Sequence, residues 1–185
     1  MNRGFQTQSA GRDPAPAVIR PRTLADLPAL ERALRAVHEV DGYPRRWPAN
    51  PDSWWRPAGL LGAWVAVAPG GEVVGHVLLR PPPGDATAQE AVRATGLPAE
   101  GLAFAARLFV APAARGSGVG AALLDTAREE ARGLGFQAAL DVDTDSLAAV
   151  ALYERLGWRR VATVPDTWQI AQGTDASLHV YVAPE

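Results

Sequence analysis

The residues best suited to chemistry lie in Leu108-Phe109-Val110-Ala111-Pro112-Ala113-Ala114-Arg115-Gly116-Ser117-Gly118-Val119-Gly120-Ala121. Three glycines stand at alternate positions where an apolar, strand-like run has ended and a helix-like run is about to begin. Glycine tolerates positive φ and puts no Cβ in the way of a ligand. The first turn of a helix offers unpaired N–H groups and the positive end of a dipole, which suits phosphate. Arg115 adds a permanent, forked donor at the rim. The chemistry indicated is the grip of a phosphate-bearing ligand.

A second candidate is Tyr153, within Ser146-Leu147-Ala148-Ala149-Val150-Ala151-Leu152-Tyr153-Glu154-Arg155-Leu156-Gly157-Trp158. With Ser146 as N-cap, the helix sets Leu147, Val150, Ala151 and Glu154 on adjacent rows, and Tyr153 beside Leu152 becomes at least partly buried. A buried hydroxyl must find a partner. Tyr153 is therefore either a core tyrosine bonded to a backbone carbonyl or a proton donor that stays protonated at neutral pH. His38, Glu39, Asp41, His76, Asp141 and Asp143 are candidate bases. His76 reads equally as a hydrogen-bonded strand histidine, and Asp141, Asp143 and Asp145 as a solvated strand end and helix N-terminus. No base is assigned.

These groups need a scaffold, and 185 residues with 48% hydrophobic and 21% charged content supply one ordinary core. Cysteine is absent, which excludes disulfides, thiolate zinc sites and cysteine nucleophiles. Every basic side chain apart from histidine is arginine, which excludes a lysine Schiff base and a Walker lysine. A net charge of −2 gives no electrostatic case for nucleic acid, and no apolar run of about 18 residues predicts a membrane span. Residues 1–16 carry no apolar stretch of a secretory signal and read as a flexible tail, so a cytoplasmic location is expected.

From Ala17 the pattern becomes regular. Ala17 to Arg20 reads as a strand, and Thr23 with Asp26 as an imperfect capping box. Leu24, Leu27, Leu30, Leu34 and Val37 then predict an amphipathic helix to about His38. Residues 39–60 are irregular, broken by Pro44, Pro48, Pro51 and Pro57. Tyr43, Trp47, Trp54 and Trp55 there form either a wall over a substrate or a hydrophobic plug. Residues 63–68 and 73–79 predict an antiparallel hairpin around Pro69-Gly70-Gly71-Glu72. Residues 81–100 hold a short helix, Thr87 to Thr95, and read as a solvent-exposed insertion, with a rim element or an oligomer contact as alternatives. Strand Leu102–Val110, helix Val119–Arg132 and strand Phe136–Val142 predict a right-handed parallel crossover. Helix 146–156 and strands 158–164 and 178–182 follow. The expected class is α+β, a central mixed, mostly antiparallel sheet with helices on both faces and one domain over 17–185.

Gly116-Ser117-Gly118-Val119-Gly120-Ala121 also fits a dinucleotide fingerprint, with Asp141 at a suitable distance, which would make an NAD(P)-dependent oxidoreductase. Five residues separate Val110 from the first glycine, however, whereas that fingerprint turns straight out of its strand. Arg115-x-x-Gly118-x-Gly120 after a hydrophobic strand more closely resembles the acyl-CoA pyrophosphate loop of the GCN5-related N-acetyltransferase (GNAT) superfamily. The 146–158 block independently resembles the family's A-x-x-L-Y-E-x-L-G-F/W segment.

The resemblance implies an acetyl-CoA-dependent N-acetyltransferase, an acyltransferase needing no metal, in which a primary amine attacks the thioester directly within a ternary complex. The amine would belong to a small molecule or a protein, with no nucleic acid or membrane partner. A homodimer is one state common in the superfamily. A catalytically silent acyl-CoA-binding module is the alternative. By resemblance, backbone groups of Leu108, Phe109 and Val110 would meet the pantetheine arm where two strands splay apart. The Val110 amide would stabilise the oxyanion. Amides from Arg115 through Gly116, Ser117, Gly118 and Val119 to Gly120 would hold the pyrophosphate, and Tyr153 would protonate the departing thiolate. Ser146 replaces the family's usual asparagine near the pantetheine, so its contact would be shorter or water-mediated.

Overall fold

The chain folds around one seven-stranded sheet. The computed structural model describes residues 16–167, 173 and 176–184. Its strands are β1 (Val18–Pro21), β2 (Gly62–Val67), β3 (Val73–Arg80), β4 (Leu102–Val110), β5 (Gln137–Asp143), β6 (Arg159–Pro165) and β7 (Ser177–Val182). They lie in the order β1-β2-β3-β4-β5-β7-β6. All neighbours are antiparallel except β4 and β5. Helix α4 (Val119–Gly133) is the crossover that makes that pair parallel. The mixed, mostly antiparallel sheet is thus as the hairpin and crossover patterns predicted, while the tail over 1–16 falls, Pro16 apart, outside the described residues.

Strand alternation sorts the core into two faces. On one, α4 and α5 (Leu147–Arg155) pack Leu123, Leu124, Ala127 and Tyr153 against Val77, Leu79, Ala103, Ala105 and Leu140. On the other, α1 (Leu27–Asp41) and α2 (Pro51–Trp55) lay Leu30, Leu34, Val37 and Trp55 over Val65 and Phe109. Each fully buried leucine contributes about 1.5–3 kcal/mol. Beside them α3 (Ala86–Thr95) packs Ala88 and Ala91 against Phe104, Ala139 and Val180.

Three sequence expectations change. The 81–100 segment is not a solvent-exposed insertion, because the buried Thr87, Ala88 and Ala91 roof the β5–β7 end of the sheet. Small residues let that helix lie close to the strands, but they carry too weak a hydrophobic signal to show it in advance. Helix α1 runs three residues beyond His38, although its apolar spacing stops there. It ends where Gly42 adopts φ +69° and donates its N–H to the His38 carbonyl at 2.8 Å. The proline-rich stretch also holds α2, one turn with Pro51 at its start and Asn50 Oδ1 accepting the Ser53 N–H at 3.2 Å.

Candidate active site

The single parallel pair is short. β4 and β5 pair only at Leu102–Gln137, Ala103–Ala138 and Phe104–Ala139. Beyond that point β5 continues to Asp143 beside β7, while β4 continues to Val110 beside β3 alone. The two strands diverge, and the β4 edge from Ala105 to Val110 carries no partner strand among the described residues.

Register tells which groups that edge presents. The Ala111 N–H donates to the Val74 carbonyl at 2.8 Å, so Gly75 and Val110 form a non-hydrogen-bonded pair. The N–H and C=O of Val110 therefore point away from β3, into the divergence. Alternation turns those of Leu108 the same way. Phe109 faces the other direction: its backbone meets His76 of β3 and its ring is buried among Trp55 and His76. Of the three residues expected to meet a ligand, Phe109 serves the core.

A bulge shapes this edge. Between the His76–Phe109 and Leu78–Ala106 pairs, Arg107 and Leu108 oppose Val77 alone, and Arg107 takes φ +55°. Left-handed backbone at a non-glycine residue costs roughly 1–2 kcal/mol and persists only if held. The holder is His76. Its Nε2 lies 3.0 Å from Arg22 Nη1, and arginine can only donate, so Nε2 is the acceptor and Nδ1 carries the proton. That Nδ1–H donates to the Arg107 carbonyl at 3.0 Å. Full burial, opposed by this bond and reinforced by the two arginines, drives the imidazole down to about 3. His76 is a neutral structural group, the hydrogen-bonded strand histidine of the two readings.

The loop after β4 is open where a ligand would need it. Gly116 and Gly118 have φ +76° and +83°, and a Cβ on either would meet nothing within 4 Å. The first bond of α4 runs from the Ala122 N–H to the Gly118 carbonyl at 3.0 Å. The N–H groups of Gly116 through Ala121 make no hydrogen bond among the described residues. A diphosphate fits that cradle. Gly120 has another duty: a Cβ there would stand 3.2 Å from Leu152 Cδ2, so its absence lets α5 pack against α4. Val119 buries its side chain in the core and contributes only its amide. Arg115 is engaged already. Its own N–H donates to the Pro112 carbonyl at 3.3 Å and so is not among the unpaired amides expected there; its fork is paired with Asp41 at the end of α1, and its Nε donates to the Val110 carbonyl at 3.3 Å.

Helix α5 brings Tyr153 to the same region. Its ring is buried against Trp158 and Tyr181, at centroid distances of 6.3 and 5.6 Å. Its hydroxyl forms no hydrogen bond among the described residues, so the backbone-bonded core tyrosine is not what is found. Tyr181, by contrast, donates to Glu154 Oε1 at 3.1 Å. Burial, with the charges of Tyr43 and Asp141 nearby, raises the Tyr153 phenol far above its ordinary value. Ser146 sits at the N-cap, yet its side chain makes no capping bond. The turn is held by Asp143 instead, whose carbonyl accepts the Ser146 N–H at 3.0 Å and whose Oδ1 accepts the Asp145 N–H at 3.1 Å.

The 42–56 stretch reaches over the divergence from the α1 side. Arg45 Nε meets Asp143 at 2.5 Å and its Nη2 meets Asp145 at 3.4 Å. Tyr43 beneath it is pushed up to about 12 by burial, against the pull of Arg107 and with the push of Asp141. Trp55 is a core plug, whereas Trp47 and Trp54 are half-buried and stack under Arg35 and Arg107 at 4.6 and 4.9 Å. The plug reading thus holds for Trp55, while Trp47 and Trp54 are covered by arginines. Arg107 was not singled out by sequence. Its signal was a lone charge inside the apolar run Leu102–Val110.

An open strand edge, an unpaired amide cradle and a buried free phenol define a domain that can bind a diphosphate ligand with an extended arm. The acetyltransferase (GNAT) family profile matches residues 27–158. A mycothiol acetyltransferase of Geodermatophilus obscurus is 37% identical over 123 residues, 65% of this chain, and the match spans only 35% of that protein's length. A GCN5-related N-acetyltransferase from Kribbella flavida aligns with TM-score 0.64 and 28% identity over 91% of this chain and 98% of its own. Arabidopsis thaliana NAA60, solved in complex with acetyl-CoA, aligns with TM-score 0.67 and 22% identity over 90% and 97%. The chain belongs to the acetyltransferase (GNAT) family. The dinucleotide reading falls, because β3 and β4 are antiparallel where that fold requires parallel neighbours.

Proposed function

We propose that the chain transfers the acetyl group of acetyl-CoA to a primary amine by direct attack within a ternary complex. The observation that carries this reading is the β4–β5 divergence, with the Val110 amide turned into it and the Tyr153 hydroxyl unengaged. Leu108 and Val110 pair with the pantetheine amides as an added strand would. Amides from Gly116 to Gly120 hold the pyrophosphate. The Val110 N–H donates to the thioester oxygen as negative charge collects on it. The new N–C bond forms as the C–S bond breaks, and Tyr153 gives its proton to the departing sulfur. The free hydroxyl favours turnover over a silent binding module.

The test has two parts. Acetyl-CoA at about 100 times its Kd should stabilise the fold by about 2.7 kcal/mol, read as a rise in Tm. Thiol release with amines should then fall on Tyr153→Phe while the Tm rise remains. No rise in Tm would sink the acetyl-CoA reading, and full turnover in Tyr153→Phe would sink the role of the phenol.

A further inference from the structure

We infer that the acceptor is a small amine carrying its own oxyanion, a carboxylate or phosphonate, held in a bipolar groove on the α1–α3 face; this rests on the acetyl-transfer reading above. Strand alternation places the groove. Val77, Leu79, Ala138 and Leu140 face α4, so His76, Leu78 and Arg80 of β3 and Asp141 of β5 face the opposite side. There the apolar cluster under α1 and α2 and the one under α3 are separate, and polar side chains occupy the interval.

One wall of that interval is cationic. Arg22 reaches His76 Nε2 at 3.0 Å, His76 reaches the Arg107 carbonyl at 3.0 Å, and the Arg107 guanidinium lies 4.9 Å over Trp54. Arg80 is close enough to Arg107 for the two to repel. Arg22, Arg80 and Arg107 form no ion pair among the described residues, while Arg20, Arg45, Arg56 and Arg115 each hold an aspartate. Burial, with repulsion from Arg56, lowers Arg22, and burial with repulsion from Arg80 and Arg22 brings Arg107 to about 10. Asp26 acts on Arg22 and Asp141 on Arg80 without forming an ion pair, and three partly buried guanidiniums gathered in one place are costly to maintain and match an oxyanion.

The other wall is acidic. Asp141 stands two residues beyond Ala139, the last residue of β5 paired with β4, and so at the mouth of the divergence. Its carboxylate forms no ion pair or side-chain hydrogen bond among the described residues and is half-buried, with the Arg80 guanidinium acting on it from β3. Asp85, nearby, is already used by the Thr87 N–H and hydroxyl. An ammonium faces Asp141 while its attached oxyanion faces the arginines. A polycation such as a polyamine places positive charge against the cationic wall and is disfavoured.

The experiment uses the full chain, acetyl-CoA and matched acceptors in a thiol-release assay: L-leucine against L-leucinamide, L-methionine against L-methioninamide, 2-aminoethylphosphonate against ethanolamine, and spermidine alone. The anionic member of at least one pair is expected to show kcat/KM at least about tenfold above its neutral partner. The first two pairs report a carboxylate and the third a phosphonate. Arg80→Gln should raise KM for that anionic acceptor about tenfold, leave KM for acetyl-CoA unchanged, and be partly rescued by Arg80→Lys. Neutral members equal or better in every pair, spermidine the best substrate, or no turnover of any pair while acetyl-CoA still raises Tm would each overturn the inference and leave acetyl-CoA binding standing. Equal loss for both members of a pair in Arg80→Gln would overturn it too. Failure of acetyl-CoA to raise Tm removes the reading on which it rests.

Discussion

A phenol and an imidazole, both buried, do opposite work in this protein. Burial keeps Tyr153 protonated well into the alkaline range, so its donor capacity survives wherever an amine is neutral. The pH–rate profile should therefore rise with deprotonation of the acceptor and show no descending limb below about pH 10. Tyr153→Phe is expected to lower kcat by about a hundredfold or more, with acetyl-CoA affinity changed by less than about twofold. His76 is held neutral by burial, so its folded value of about 3 lies below the unfolded 6.5. Protons then bind the unfolded chain in preference, and stability from this residue is complete above pH 6.5 and declines as pH falls toward 3. Urea midpoints measured from pH 6.5 to 4.5 should drop more steeply for the native protein than for His76→Gln. Equal slopes would show that His76 is not the group responsible.

At the level of elements, the glycines of one loop separate by function. Gly118→Ala strains a left-handed residue in open space, and a loss of about 1 kcal/mol is expected together with weaker acetyl-CoA binding. Gly120→Ala brings a methyl group to 3.2 Å from Leu152 Cδ2, the end of a half-buried side chain that can turn aside, and a stability change of less than about 1 kcal/mol is expected with acetyl-CoA binding retained. Chemical denaturation of the two variants, with acetyl-CoA titrations, distinguishes these outcomes. Ala91→Gln should destabilise by more than about 2 kcal/mol because α3 is a core layer. Much of this was legible in sequence. Strand Leu102–Val110 has the bounds its apolar run predicted, and the Gly116–Gly120 turn leads into α4 as its spacing required. Other features were silent for physical reasons. The packing of α3 rests on alanines, whose small side chains write no periodic pattern. The bulge at Arg107 depends on a histidine far away in sequence, which local propensity does not register. The hydroxyl of Ser146 is unused because the Ser146 carbonyl already accepts the Ala149 and Val150 N–H groups, at 2.9 and 3.0 Å.

Over the whole molecule, α1 and the segment after it tie separate parts of the site together through ion pairs. Arg45 joins this segment to the end of β5. Arg45→Gln is expected to shift stability by less than about 1 kcal/mol, since the arginine is exposed, and to raise KM for the amine without altering KM for acetyl-CoA. Steady-state kinetics with each substrate varied in turn gives both values. The second tie is the pairing of Arg115 with Asp41, together with its bond to the Val110 carbonyl. On the proposed reading Asp41 would act as a tethered competitor: a diphosphate that recruits Arg115 at the glycine turn would draw the guanidinium away from an anion the chain supplies itself. Measured affinity is then a difference between two attachments, and removing the internal rival should strengthen the external one. Asp41→Asn is accordingly expected to tighten CoA by a few-fold in calorimetric titration, an uncommon case in which deleting a native ion pair improves a ligand's hold; unchanged or weaker affinity would show that the pair does not compete.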